Sequence, residues 1–180
     1  MIETRIIDEE HSRDILLPNE PFELWGRMIP FYREEQWGYT IEEKRPEEIT
    51  TMCFPDEPYD FRAMSENTTF IGAYDGEKCI GLALMQEGFF KYYYLYDLKV
   101  NREYRRQGAA GLLLQTAMEL ALQKGYRGIY TIGQDNNLSA CLFYIRNGFR
   151  IGGLDTDVYK GTNQEGKADI IFYKDGETVR

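Results

Sequence analysis

Histidine is almost missing from this chain. His11 is the only one in 180 residues, which argues against a Ser–His or Cys–His hydrolase, because those nucleophiles need an imidazole base. It lies in a polar stretch near the N-terminus and reads as a solvated surface residue. The three cysteines, Cys53, Cys79 and Cys141, are odd in number and widely spaced. With no Cys-x-x-Cys pair and no Cys/His cluster, neither a disulfide framework nor a metal site is expected. No run approaches the ~20 apolar residues of a membrane span. The opening Met1-Ile2-Glu3-Thr4-Arg5 is no signal peptide, so a cytoplasmic protein is expected. Positive charge is also in deficit, with 21 Lys+Arg against 30 Asp+Glu and a net charge of −9. Nucleic acid is therefore a poor partner, whereas an acidic shell draws in a cationic small molecule. Acidity also simply keeps a protein dissolved, so charge alone does not name the substrate.

What remains is ordinary for a globular protein: 43% hydrophobic and 28% charged residues. At this length one domain is expected, burying about 70% of its unfolded surface. Residues 1–7 alternate as a first strand, and 8–20 read as loop. Glu20 to Pro30 reads as a short helix, with Pro21 at its first position and Pro30 as its stop. A second helix is expected around Pro46 to Met52, within the acidic stretch Glu42 to Glu66, most of whose acids read as a solvated face. Thr68 to Tyr74 and Lys78 to Gln86 form a hairpin through Asp75-Gly76, since both turn residues tolerate positive φ. Tyr92 to Val100 is the third strand of this meander. Ala109 to Lys124 carries Ala110, Leu113, Leu114, Ala117, Met118 and Ala121 on one helical face, with Gly125 as its stop. A strand at Gly128 to Gly133, a helix at Ser139 to Arg146 closed by Asn147-Gly148, and strands at Phe149 to Thr156 and Asp169 to Tyr173 complete the chain. This order predicts an α/β (α+β) domain with a mixed, mostly antiparallel central sheet of about six to seven strands and helices on both faces.

The chemistry gathers where the third meander strand turns into the long helix, through Arg105-Arg106-Gln107-Gly108-Ala109-Ala110. The first N–H groups of a helix lack intrahelical partners and lie at the positive end of its dipole, so this junction suits a phosphate. Gly108 admits close backbone approach, and Ala110 keeps the sixth position small. A basic loop capped by a good helix former would read the same way, and the loop by itself leaves both open.

The loop fits Arg/Gln-x-x-Gly-x-Gly/Ala and resembles the acetyl-CoA pyrophosphate loop of the GCN5-related N-acetyltransferase (GNAT) family. A second segment, Asn137-Leu138-Ser139-Ala140-Cys141-Leu142-Phe143-Tyr144 with Gly148-Phe149, fits that family's Asn-x-x-Ala-x-x-Phe-Tyr…Gly-Phe pattern, in the expected order and with a strand between. Further stretches resemble streptothricin N-acetyltransferases: Asn19 to Glu23, Gly26 to Pro30, Asp97-Leu98 with Val100, Gln134 to Asn137, Ile151-Gly152 and Asp155-Thr156. This similarity runs with gaps from about residue 19 to the last strand. There are departures. Tyr96 stands where those enzymes tend to carry Glu, Ile132 or Gly133 where they carry another, and Ile171 in place of a Trp. They remove acids from a pocket meant for a polycationic antibiotic and leave fold and acetyl donor unaffected.

The resemblance implies direct acetyl transfer from acetyl-CoA to a primary amine within a ternary complex. It also implies site residues. Leu98 and Val100 would pair with the pantetheine arm like an added strand. Arg105, Arg106, Gln107, Gly108, Ala109 and Ala110 would hold the pyrophosphate, with Asn137, Ala140 and Tyr144 as further cofactor contacts. Tyr144 would return a proton to the departing thiolate. The base is less determined. An alkylammonium has a pKa near 10.4, so at pH 7 only about one in a few thousand is a free nucleophile, a cost of roughly 4.6 kcal/mol. Strand periodicity puts Tyr94, Tyr96, Leu98 and Val100 on one face and Tyr93, Leu95, Asp97 and Lys99 on the other. In relatives the active-site face carries the Leu and Val, so Tyr94 and Tyr96 would face the amine. Asp97 points away unless a bulge turns it. A base acting through ordered water, its path lined by Tyr96, is the leading idea, with Asp97 as the named alternative. Aromatic residues favour strands simply by packing there. As cavity walls they would also hold a cation, at about 0.5–2 kcal/mol per contact. With Asp135 and Asp155 as nearby acids, a lysine-like amine is the expected guest.

Two rival functions stay open on the sequence. One is acetylation of a protein N-terminus or lysine, which competition by basic peptides would favour. The other is an acyl-CoA sensor without turnover. Homodimers are frequent in the superfamily, and no residue pattern locates an interface.

Overall fold

The structure is a computed structural model that describes residues 1–88 and 90–177. In chain order its strands are β1 (Ile2–Ile6), β2 (Phe22–Leu24), β3 (Gly26–Arg33), β4 (Gln36–Glu43), β5 (Thr50–Met52), β6 (Thr68–Asp75), β7 (Lys78–Gln86), β8 (Tyr92–Val100), β9 (Gly128–Gln134), β10 (Arg150–Asp155) and β11 (Asp169–Asp175). The helices are α1 (Phe61–Met64), α2 (Ala109–Gln123) and α3 (Leu138–Arg146), with 3-10 turns at Ser12–Leu16, Pro46–Glu48 and Arg102–Tyr104. Seven strands follow the order β1-β6-β7-β8-β9-β11-β10 in the main sheet, while β2-β5 and β3-β4 form separate pairs. The sheet is mixed with helices, as the sequence predicts. Among the described residues no helix is long and apolar enough to cross a membrane.

The chain folds into two compact units. The first takes residues 1–20 and 54–129 and the chain from Asp175. Its ladder is antiparallel from β1 through β6 and β7 to β8. β6 and β7 are buried almost throughout, because both faces are covered. Helix α2 packs on one face against β1, β6, β7 and β8, approaching so closely that a Cβ at Gly81 would lie 3.2 Å from the Leu113 side chain. On the other face Ile7, Ile15, Phe70, Leu82 and Leu84 form a cluster, joined by Leu17, Tyr59, Phe61 and Met64. A strand covered on both faces loses its polar alternation, which explains why these two read as continuous apolar runs. Phe70 is 1% exposed and its ring lies 5.5 Å from that of Phe61. Phe70→Ala should cost about 3–5 kcal/mol through lost transfer energy and a cavity. The check is urea unfolding, with a lower midpoint and an unchanged slope.

The second unit takes residues 21–53 and 130–174. Here two expected helices are replaced by strands. Glu20 to Pro30 forms β2 and the start of β3, and Pro46 to Met52 is one 3-10 turn followed by β5. The cause is long-range pairing: β2 pairs with β5, and β3 pairs residue by residue with β4 from Gly26↔Glu43 to Arg33↔Gln36. Pro30 has no N–H, yet a strand with a single ladder partner tolerates it. The turn between β3 and β4 holds Glu34 and Glu35 at φ 50° and 61°. α3 packs on β3, and β10 on β4.

Candidate active site

Strand β8 ends in a loop that is braced before α2 begins. Arg105 turns back, its Nε donating to the Val100 carbonyl at 3.1 Å and its Nη2 lying 3.7 Å from Glu20 Oε2. The same Glu20 oxygen accepts the Arg102 N–H at 2.5 Å. Gln107 Nε2 donates to the Glu103 carbonyl at 2.7 Å. Of the three polar side chains expected around a pyrophosphate, two therefore hold the loop's own shape. Arg106 has φ 63° and Gly108 φ 90°, a left-handed conformation that only glycine adopts freely. The first intrahelical bond runs from the Leu112 N–H to the Gly108 carbonyl at 3.0 Å. The amides of Ala109, Ala110 and Gly111 thus precede the helical ladder. No side chain caps them, and no acid lies in the first turn. A Cβ at Gly108 or Gly111 would meet no atom within 4 Å, so there is room for a ligand over this end. The loop fits a diphosphate in charge, in donors and in space.

The backbone of β8 carries a second device. The Asn101 N–H donates to the Ile80 carbonyl at 2.8 Å. Hydrogen-bonded and non-bonded pairs alternate along an antiparallel ladder. Continuing back from there, the pairs Gly81↔Val100 and Ala83↔Leu98 are non-bonded ones. The N–H and C=O groups of Leu98 and Val100 therefore aim away from β7. That is the geometry an added extended chain requires, with the Val100 carbonyl already used by Arg105.

Strand β8 also bulges. Leu84 pairs with Asp97 but Met85 pairs with Leu95, leaving Tyr96 as the extra residue. Directly paired residues share a face, so Leu95 lies with Met85 while Asp97 lies with Leu84, on the opposite face. The uninterrupted alternation read from the sequence fails at this point: Asp97 and Lys99 are not on the face of Tyr93 and Leu95. The bulge supplies the turn that the sequence left as a condition for Asp97. It also leaves Tyr96 half exposed, against the ring of Tyr94 edge-on at 5.7 Å.

Around Asp97 the structure assembles groups that no motif announced. Tyr59 donates its hydroxyl to Asp97 Oδ2 at 3.0 Å, and its ring meets Tyr96 edge-on at 6.5 Å. Lys99 Nζ lies 3.4 Å from Asp97 Oδ2 and 2.8 Å from Glu57 Oε2. Asn19 joins through Nδ2 to Glu57 Oε1 at 3.0 Å and accepts from Lys99 Nζ at 3.3 Å. Side-chain exposure is 18% for Asp97 and 12% for Lys99. Burial pushes the Asp97 carboxyl up, Lys99 opposes that, and the Glu57 charge adds to it. The Glu57 carboxyl is held low, its desolvation outweighed by hydrogen bonds from Lys99 and Asn19. The Tyr59 hydroxyl is pushed up strongly, chiefly by burial and then by Asp97 and Glu57. Glu57 thus departs from the solvated acidic face expected of its segment. No sequence signal pointed to it, because its partner lies 42 positions away.

In the second unit Asn137 is the N-cap of α3, its Oδ1 accepting from the Ala140 N–H at 3.3 Å. The Asn-x-x-Ala spacing is therefore also a helix-start device. Tyr144, one turn further on, is 8% exposed and packs on Phe149 and Phe172 at 5.4 and 5.3 Å. Asp135 is 2% exposed and its Oδ2 accepts from Arg27 Nε at 2.6 Å, while among the described residues its Oδ1 meets no donor. Asp155 Oδ1 accepts the Asp157 and Val158 N–H groups at 2.9 and 3.0 Å, which shapes its own loop. Both acids bear on Asp169. Its carboxyl is raised by burial, then lowered by the Tyr159 hydroxyl 2.7 Å away, and raised again by the charges of Asp155 and Asp135.

The sequence model of the acetyltransferase (GNAT) family matches residues 29–149. Streptothricin acetyltransferase A of Bacillus subtilis is 32% identical over 164 residues, covering 91% of this chain and 94% of that one. A candidate streptothricin acetyltransferase of Bacillus anthracis, solved in complex with acetyl coenzyme A, superposes with a TM-score of 0.86 at 24% identity, covering 98% and 99% of the two chains. Nourseothricin acetyltransferase superposes with a TM-score of 0.78 at 22% identity, covering 97% and 98%.

Proposed function

The chain belongs to the acetyltransferase (GNAT) family, and on that premise we propose that it moves acetyl from acetyl-CoA to a primary amine of a small cationic substrate, with streptothricin-type antibiotics as the first class to try. The observation that carries this reading is the junction of β8 and α2. There, backbone groups of Leu98 and Val100 directed away from β7 lead into an uncapped, left-handed Gly108 helix start. The substrate class draws its support from the 32% identity to streptothricin acetyltransferase A.

In this reading the diphosphate lies over the amides of Ala109 and Ala110 with the Arg106 guanidinium beside it, and Arg105 and Gln107 fix the loop. Asn137 and Ala140 add cofactor contacts from the start of α3. The substrate ammonium meets the Tyr94 and Tyr96 rings, with Asp135 and Asp155 as further acids for a substrate bearing more than one cation. The ammonium gives up a proton to Asp97, directly or through one water beside Tyr96. A carboxylate held above its ordinary range is the better base for that step. The neutral nitrogen attacks the thioester carbonyl, whose oxyanion is stabilised by main-chain N–H donors. The C–S bond breaks, the thiolate takes the Tyr144 proton, and the second proton shed by the nitrogen restores the Tyr144 hydroxyl through solvent.

Incubation with acetyl-CoA and a streptothricin should release free thiol and add one acetyl group to the antibiotic, read by thiol colorimetry and mass spectrometry. Thiol release with lysine-like amines but not streptothricin would narrow the substrate. No product across a broad amine panel would overturn the reading.

A further inference from the structure

The corner around Asp97 holds two carboxylates, Asp97 and Glu57, against one ammonium, Lys99. One negative charge is left over in a partly buried place, where an unpaired charge is costly. Both contacts to Asp97 reach Oδ2, and among the described residues no side-chain donor reaches Oδ1. Three rings border this corner. Tyr94 stands edge-on to Tyr96 at 86°, and Tyr59 at 67°. The Lys99 ammonium already lies 5.6 Å from the centre of the Tyr59 ring, so the surroundings hold one alkylammonium through the aromatic and carboxylate contacts a second would use.

We propose that Tyr59 is a positioning residue for Asp97 and the third wall, with Tyr94 and Tyr96, of a subsite for the alkylammonium group of the acceptor. This deepens the acetyltransfer reading and rests on it. The segment before α1, outside both family motifs, then selects the amine and sets the protonation of the base. Three groups act on the charge of Asp97. Tyr59 and Glu57 come from that segment, and Lys99 from its own strand. The Tyr59 hydroxyl donates to the carboxylate and so favours its ionised form. Its removal must raise the Asp97 midpoint further.

The test is Tyr59→Phe, which keeps the ring and removes only the donor. The Asp97 side-chain carbon is followed by NMR against pH in the enzyme without substrates, its signal assigned by its loss in Asp97→Asn. The midpoint should move up by about half a pH unit or more, and the acid limb of kcat/KM for a small alkylamine by the same amount. In Tyr59→Leu, which also removes the ring, KM for the amine should rise several-fold. Acetyl-CoA affinity should be unchanged in both. Lys99→Met should push the midpoint higher still, and Lys99→Arg should restore it. A folded Tyr59→Phe protein with the wild-type midpoint, or a Tyr59→Leu protein with the wild-type amine KM, overturns the proposal. If the wild-type protein acetylates no amine, the acetyltransfer reading and the subsite fail together. The NMR midpoint still decides by itself whether Tyr59 sets the ionisation of Asp97.

Discussion

Tyr144→Phe should lower kcat about 100-fold or more and change the dissociation constant for coenzyme A by less than about threefold. A positioned proton donor contributes typically 10²–10⁴-fold, and phenylalanine cannot supply it. The ring itself stays useful. It packs on Phe143, Phe149 and Phe172, and phenylalanine preserves that surface, so α3 should keep its place at a cost of about 1 kcal/mol. Rapid-quench turnover and calorimetric titration with coenzyme A separate the two quantities. Equal losses in both would remove Tyr144 from the acid role and make it a packing residue of α3. A protein that binds the cofactor tightly and turns over no amine, with or without the hydroxyl, would instead be a sensor.

The second large effect concerns the loop. Gly108→Ala should raise the KM for acetyl-CoA about tenfold, whereas Gly111→Ala, three residues on, should leave it near the wild-type value. Both new methyl groups would enter open space, so protein clashes cannot distinguish them. Backbone conformation does. Gly108 has φ 90°, where an L-residue is strained by roughly 1–2 kcal/mol. Relief of that strain rotates the amides that follow, and 1.4 kcal/mol of lost ligand interaction is tenfold in affinity. Gly111 is helical, and alanine there should stabilise α2 by up to about 1 kcal/mol. Steady-state kinetics with varied acetyl-CoA and thermal melts of both variants make the comparison. If Gly108→Ala leaves the acetyl-CoA KM unchanged, the loop does not grip the diphosphate through its backbone.

How much of this was legible depends on how local each signal is. The β6–β7 hairpin was readable because Gly76 marks its turn and adopts φ 61°, although the two turn residues are Gly76 and Glu77, with Asp75 still paired to Lys78 in the ladder. The β3–β4 hairpin was not. Its turn residues are Glu34 and Glu35, which carry no turn signature although both take positive φ. Pro21 and Pro30 then invited a helical reading that distant strand pairing overruled. The segments that carry the family resemblance were legible for a related reason. A loop that turns a strand into a helix, and an Asn that caps one, are each built from fewer than ten consecutive residues.

Residue order alone determined the third meander strand, α2, α3, the glycine-containing loop between strand and helix, and the family, since each is written in neighbouring positions. Tertiary structure decided the character of Asp97. The bulge at Tyr96 exists only as a mismatch of register between β7 and β8, and it turned a carboxylate assigned to the wrong face into the centre of a cluster. Tyr59 reaches that carboxylate, and Glu57 its neighbour Lys99, from about forty residues away. Pairing register and such distant contacts follow from how the whole chain packs, so no local spacing encodes them.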